Sequence, residues 1–145
     1  MTVLSRRAVL AVPLAVAGAS GAAAEDFAAA TRAILAGRAP AEGGIFLEIP
    51  PLSENGNSVD LSVRVDSPMT AEDHITAIHI LAEKNPFPLV ATFSLTPRAG
   101  RAEVATRIRL ATSQTIVAIA ETSRGAVHRA TREVIVVLGA CVETG

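Results

Sequence analysis

One thiol, three imidazoles and one adjacent pair of carboxylates are the groups in this sequence whose chemistry deserves weighing first. The thiol is Cys141, the only cysteine among 145 residues, in the closing stretch "VIVVLGACVETG". The imidazoles are His74, His79 and His128, and the carboxylates are Glu72 and Asp73 in "SPMTAEDH". His74 and His79 are an odd number of residues apart, so on one strand they point to opposite faces. A copper site of the His–Cys–Met kind needs Cys141, Met69 and a histidine to converge, and no spacing here brings them together. No metal site is therefore expected. Glu72 and Asp73 read as local capping behind Thr70, where acids suit a first turn. "Asn55-Gly56-Asn57" reads as a tight turn, since Asn and Gly accept positive φ. There is no Gly-rich phosphate loop, nucleophile elbow or paired-histidine zinc motif.

Cys141 is left as the one reactive group with an unusual position. A chain with a single cysteine cannot close an internal disulfide, so in an oxidising compartment the thiol is free, paired with another chain, or modified. A buried, inert cysteine is the alternative, because free Cys packs like a small hydrophobe. Only Val142, Glu143, Thr144 and Gly145 follow, too few to cover the sulfur. An exposed thiol there is an oxidation liability, which favours use over accident. A nucleophilic enzyme cysteine needs a base and an oxyanion site held rigidly around it. Residues 139–145 instead read as a mobile arm, hinged at Gly139 and Ala140, that spans at most about 25 Å when extended. An unperturbed thiol is only a few per cent thiolate at neutral pH, which suffices if a partner enzyme activates it. That chemistry describes a carrier rather than a catalyst, with no cofactor beyond covalent adducts on the thiol.

The elements that would position this thiol begin with an export signal. "SRRAVLAVPLAVAGASGAAAEDF" has adjacent Arg6 and Arg7, an uncharged apolar run and a small-residue site before Glu25. Residues 1–24 are expected to be removed, and Ser5-Arg6-Arg7 fits a receptor-read twin-arginine signal. The apolar run, interrupted by Pro13 and Gly18, is short for a membrane span. Of 145 residues 121 would remain, and losing two arginines takes the formal charge from −1 to −3. That is one domain with one core, and its charge favours neither nucleic acid nor an anionic membrane.

Past the signal, "DFAAATRAILAG" places Phe27, Ala30, Ile34 and Leu35 on one side of a short helix that Gly37 can end. From there the period becomes two. In "VDLSVRVDSP" the residues Val59, Leu61, Val63 and Val65 alternate with polar ones, the pattern of a half-buried strand. "AEGGIFLEIP", "HITAIHILAEKN", "LVATFSLTP", "AEVATRIRLA", "TIVAIAETS" and "VHRATREVIVVL" supply further strands. Turn signals "ENGN", "KNPFP", "TPRAG" and "TSRG" separate them. Short strands at this spacing predict a mainly β fold, an immunoglobulin-like antiparallel β-sandwich over residues 25–138 with the short N-terminal helix and the C-terminal arm. Without Trp or a cysteine pair, its core must be aliphatic.

The stretch from "EGGIFLEIPPLSENGNSV" through "MTAEDHI" to "GRAEVATRIRLATSQTIVAIAETSRG", with a single cysteine near the C-terminus, resembles the SoxY family, the sulfur-carrying subunits of the periplasmic thiosulfate-oxidising Sox system. The resemblance covers about Phe27 to Cys141. It implies a periplasmic sulfur carrier, not itself an enzyme, in stable complex with a SoxZ-like β-sandwich subunit. It also implies transient visits from a haem enzyme that conjugates thiosulfate to Cys141, a sulfate-releasing hydrolase and a sulfur dehydrogenase. The family usually ends Gly-Gly-Cys-Gly-Gly, whereas Ala140 precedes Cys141 here and Val142-Glu143-Thr144-Gly145 follow. Val142 stiffens the tail, and Glu143 sets a negative charge near a site for anionic adducts. A competing expectation is a periplasmic interaction or assembly module in which Cys141 is incidental.

Overall fold

A computed structural model describes residues 22–140. The expected signal with Arg6 and Arg7, and Cys141 with the four residues after it, lie outside the described residues. The order is α1 (Ala22–Leu35), β1 (Ala41–Glu42), β2 (Ile45–Glu48), β3 (Leu52–Asn55), β4 (Val59–Val65), β5 (Ile75–Ala82), β6 (Leu89–Ser94), β7 (Ala102–Ile108), β8 (Gln114–Thr122) and β9 (Val127–Leu138). A single 3-10 turn at Pro97–Ala99 joins β6 to β7.

These strands make two sheets of an immunoglobulin-like sandwich. One runs β1-β9-β8-β5-β6, with β3 added beside the far end of β9, and the other runs β2-β4-β7. The predicted alternation holds: Val59, Leu61, Val63 and Val65 of β4 are buried, opposite Ile78 and Ile80 of β5 and Ile116 of β8 in one aliphatic cluster. Each such side chain contributes about 1.5–3 kcal/mol by leaving water. No Phe is among the buried residues, so the core is the Val, Ile, Leu and Ala core that the composition demands.

In two places the strand pairing departs from the antiparallel expectation. β1 pairs with β9 in parallel through Ala41↔His128, and β3 does so through Leu52↔Ile135 and Asn55↔Leu138. Neither is joined to β9 by a hairpin, so nothing local forces opposite directions. β2 lies between them in sequence and belongs to the other sheet.

Helix α1 closes the outer face of the larger sheet. Phe27, Ala30, Ile34 and Leu35 pack on Leu81, Val117, Ile119 and Val127, the face its spacing predicts. Removal of residues 1–24 leaves all four in place. The helix stops where Ala36 and Gly37 turn left-handed, at φ 48° and 78°. Arg38 then folds back, donating to the Ile34 and Leu35 carbonyls and pairing with Glu121. Glu121 also meets His79 Nε2 at 2.8 Å, and His79 Nδ1 lies 3.0 Å from Thr92 Oγ1. Burial pushes the Glu121 carboxyl upward, but hydrogen bonds and charge from His79 and Arg38 outweigh it and hold the group below its ordinary value.

Candidate functional site

The residue before Cys141 sits where β9 ends, and two neighbouring segments hold that end. Asn55 closes β3 and its Oδ1 accepts from the Asn57 amide at 2.9 Å, so "ENGN" is the expected turn. Gly56 follows, and its φ is not positive. Its glycine is required for a different reason: a Cβ there would lie 2.4 Å from Leu110 O, 3.0 Å from Val136 Cγ1 and 3.1 Å from Ala140 N. Its backbone bridges two segments, donating to Leu138 O at 2.7 Å and accepting from Leu110 N at 2.8 Å.

The segment between β7 and β8 makes the second wall. Leu110 is fully buried, and its carbonyl accepts from the Ala140 amide at 2.8 Å. Ala111 O lies 2.1 Å from where a Cβ on Gly139 would be. Ser113 Oγ accepts from Val136 N at 2.8 Å and donates to Val136 O at 3.3 Å. Ala140 is only 2% exposed. Gly139 and Ala140, assigned from sequence to the hinge of an arm, therefore belong structurally to the body. The reason is non-local: Leu110 and Ala111, some 30 positions earlier in sequence, fit around a backbone that lacks a side chain at Gly139.

Beside this strand end lies an apolar stripe facing solvent. Leu52 of β3 and Ile135 and Val137 of β9 are 55–63% exposed on one face, with Leu52 directly opposite Ile135, while the exposed Leu138 alternates to the other face. Contiguous exposed aliphatic side chains of this kind mark contact surfaces for other proteins. A concavity of about 810 Å³, lined by residues such as Leu47, Asp60, Arg107 and Arg132, includes none of the residues around Ala140.

The other candidates are dispersed. His74 precedes β5 rather than lying on it, with its ring Nδ1 3.0 Å from Thr70 O. His79 belongs to the Arg38–Glu121 cluster under α1, and His128 Nδ1 lies 3.0 Å from Gly43 O. Among the described residues no three His, Cys, Asp or Glu side chains group as metal ligands. Met69 is buried in the core with its sulfur 3.5 Å from the Ile75 amide, and Thr70 Oγ1 accepts from Asp73 N at 3.1 Å, the local capping that the sequence suggests. Leu110, Ala111, Ser113 and the buried Asn85 and Gln114 behind them were not legible as site residues: Leu110 and Ala111 read as the end of a strand that stops at Ile108, and the others fall at turns or strand starts.

The family model described as sulfur oxidation protein SoxY matches residues 31–141. The chain belongs to the SoxY family. Its SoxY body is 31% identical to the solved structure of the sulfur carrier protein SoxY from Chlorobium limicola f thiosulfatophilum. That likeness covers 78% of this chain and 97% of the other, with a TM-score of 0.64. The SoxY sandwich also shares its fold with a superoxide reductase (neelaredoxin) from Ignicoccus hospitalis, 21% identical over 63% of this chain and 78% of that one, TM-score 0.58. A putative superoxide reductase from Thermotoga maritima is similar to the same degree, 21% identical over 63% and 84%, TM-score 0.54. At that identity these two show a common fold alone. No curated protein matches.

Proposed function

We propose that this chain is a sulfur carrier of thiosulfate oxidation that holds its cargo covalently on Cys141 in the periplasm. One observation carries the reading: the family match ends on residue 141, and that residue is the chain's only cysteine. The solved relative, itself a sulfur carrier protein by name, supports the same role.

The chemistry follows from a thiol with no catalytic partners of its own. Thiosulfate's outer sulfur joins the Cys141 sulfur as an S–S bond, and a haem enzyme takes up the electron pair released. Water then cleaves the bond to the sulfonate group under a hydrolase, leaving sulfate and a persulfide on Cys141. A sulfur dehydrogenase oxidises the outer sulfur, water supplying the oxygens, and a second hydrolysis restores the thiol. Throughout, the sandwich binds and presents while its partners do the redox work. Arg6 and Arg7 fit a twin-arginine signal, a route that carries folded cargo and so suits co-export of a SoxZ-like subunit. The apolar stripe at Leu52, Ile135 and Val137 supports a protein partner at this end of the sandwich.

Intact-mass spectrometry of protein from the periplasm of thiosulfate-grown cells, before and after reductant, tests the reading. Reductant-labile thiosulfonate or persulfide adducts confined to Cys141 are expected. A bare thiol while thiosulfate is being consumed turns the assignment toward an interaction module in which Cys141 is incidental.

A further inference from the structure

Both sheets of the sandwich end in strands with one unpaired side, and these edges differ in charge. β2 carries Glu48, β7 carries Glu103 and Arg107, and β1 and β3 are two and four residues long with Glu42 and Glu54. Charge and shortness are the usual means by which an edge avoids pairing with another chain. β6 has no charge to protect it. Among the described residues it pairs with β5 alone, and no charged residue occurs in residues 85–97. Pro86, Pro88 and the register shift opposite Ile80 and Leu81 interrupt its first residues, so the regular stretch is residues 91–95. There Leu95 N donates to Thr76 O at 2.9 Å. Antiparallel bonds alternate along a strand, so the amides of Phe93 and Leu95 face β5 while those of Thr92 and Ser94 face away from the sheet. Thr92 and Ser94 are both exposed.

We propose that β6 pairs with β6 of a second copy of this chain, antiparallel about a two-fold axis at Phe93. That register sets Thr92 of each copy opposite Ser94 of the other, where the outward amides and carbonyls exchange hydrogen bonds. Phe93 meets its own copy at the axis, and aromatic and Thr–Ser pairs are favourable cross-strand neighbours. A second copy is the occupant that suits this edge, because an uncharged strand offers a charged partner nothing to recognise and repels nothing when set against itself. β7 turned on Ala105 would match Glu103 with Arg107 but set Arg101 against Arg109, and Arg107 is already held by Asp60. Phe87 and Leu89, 84% and 44% exposed, extend the apolar contact toward the uncharged chain that follows β6 in the other copy. A ladder this short falls below the about 800 Å² per partner of a stable complex, so the dimer is weak, with a dissociation constant on the order of 100 µM. The five-stranded path of each copy joins into one sheet of ten strands. Its two β9 strands stand seven strand intervals apart, about 34 Å. The stripe of Leu52, Ile135 and Val137 stays uncovered for a different subunit.

Sedimentation equilibrium of the mature chain in reductant, which removes any disulfide through Cys141, reads the association between about 10 µM and 1 mM. Mostly monomer is expected at the low end and mostly dimer at the high end. Amide exchange at the high concentration should slow about fivefold at Thr92 and Ser94, since about a fifth of the chains remain monomeric, while Phe93 and Leu95 are protected at both. Ser94→Lys should stay monomeric throughout with its thermal unfolding unchanged, because a lysine on an edge opposes pairing. A wild type that is monomeric at the high concentration overturns the proposal. So does a dimer in which Thr92 and Ser94 exchange as in the monomer, or one that persists in Ser94→Lys, since each uses another surface. Protection of these two amides only when a co-purified subunit is bound assigns the edge to that subunit and overturns self-pairing. If Ser94→Lys fails to fold, amide exchange in wild type decides alone.

Discussion

Replacing Gly56 by alanine separates two explanations of one turn. If Gly56 served only for backbone freedom, alanine would be accepted, since φ there is not positive. It would then stabilise by about 0.4–1 kcal/mol through the unfolded chain. The structure predicts the opposite sign. An added methyl would lie 2.4 Å from Leu110 O, so reaching ordinary contact near 3.4 Å requires that carbonyl to retreat by 1.0 Å. Leu110 O is the acceptor for Ala140 N at 2.8 Å, and Leu110 N donates to Gly56 O at 2.8 Å, so the retreat strains both. Overpacking of about 1–3 kcal/mol plus one or two weakened hydrogen bonds, less the chain-entropy gain, gives a net loss of about 2–4 kcal/mol. Urea unfolding followed by far-ultraviolet circular dichroism measures it, because the chain has no Trp or Tyr to report by fluorescence. The midpoint should fall with an unchanged m-value, and thermal unfolding should drop by about 10 °C. Gly125→Ala, at φ 85° in open space, is the contrasting control and should lose only about 1–2 kcal/mol. A Gly56→Ala protein as stable as wild type, or more so, would refute the steric account.

Glu121→Gln should cost about 1 kcal/mol at neutral pH, since it removes the charge shared with Arg38 and His79. The Glu121 carboxyl is held below its ordinary 4.5, so wild type's advantage is full above that value and disappears as pH falls through the lower folded-state value. Chemical unfolding of both proteins across pH 3–7 reads the difference. Val137→Glu on the exposed stripe should change stability by less than about 0.5 kcal/mol while weakening the complex with a co-purified subunit, measured by calorimetry and size-exclusion chromatography. Cys141→Ser should leave the unfolding midpoint unchanged and abolish sulfur loading, scored by intact mass.

Where local pattern controls structure, the sequence can be read directly. The alternation of β4 and the apolar side of α1 are periodic over several residues, and the same side chains are buried in the structure. β1 and β3 escape such reading because they are two and four residues long, and "LSEN" offers one apolar side chain. Their strand identity comes from pairing with β9, some 80 residues away in sequence. The site divides in the same way. Cys141 stands out because it is alone, whereas Gly139-Ala140 reads as loose chain until Leu110 and Ala111 close on it. Gly56 is a turn residue as its neighbours suggest, but the physical demand on it is lack of volume rather than freedom of φ. Asn85 sits in "KNPFP", where turn chemistry fully accounts for an Asn, so nothing local discloses that it is buried.

The order of strands also governs when this body can exist during synthesis. β9 is the ninth strand to leave the ribosome, yet it pairs with β1 and β3 along one side and β8 along the other in the larger sheet. β1 and β3 must wait for it, because the pairing each makes is with β9, although β2-β4-β7 and β8-β5-β6 can pair earlier. The strand that completes the fold is also the one that leads into Cys141. An unfinished chain lacks the thiol and lacks a stable sandwich together, so a body competent to bind partners is one whose carrier position has already been translated or is next to be.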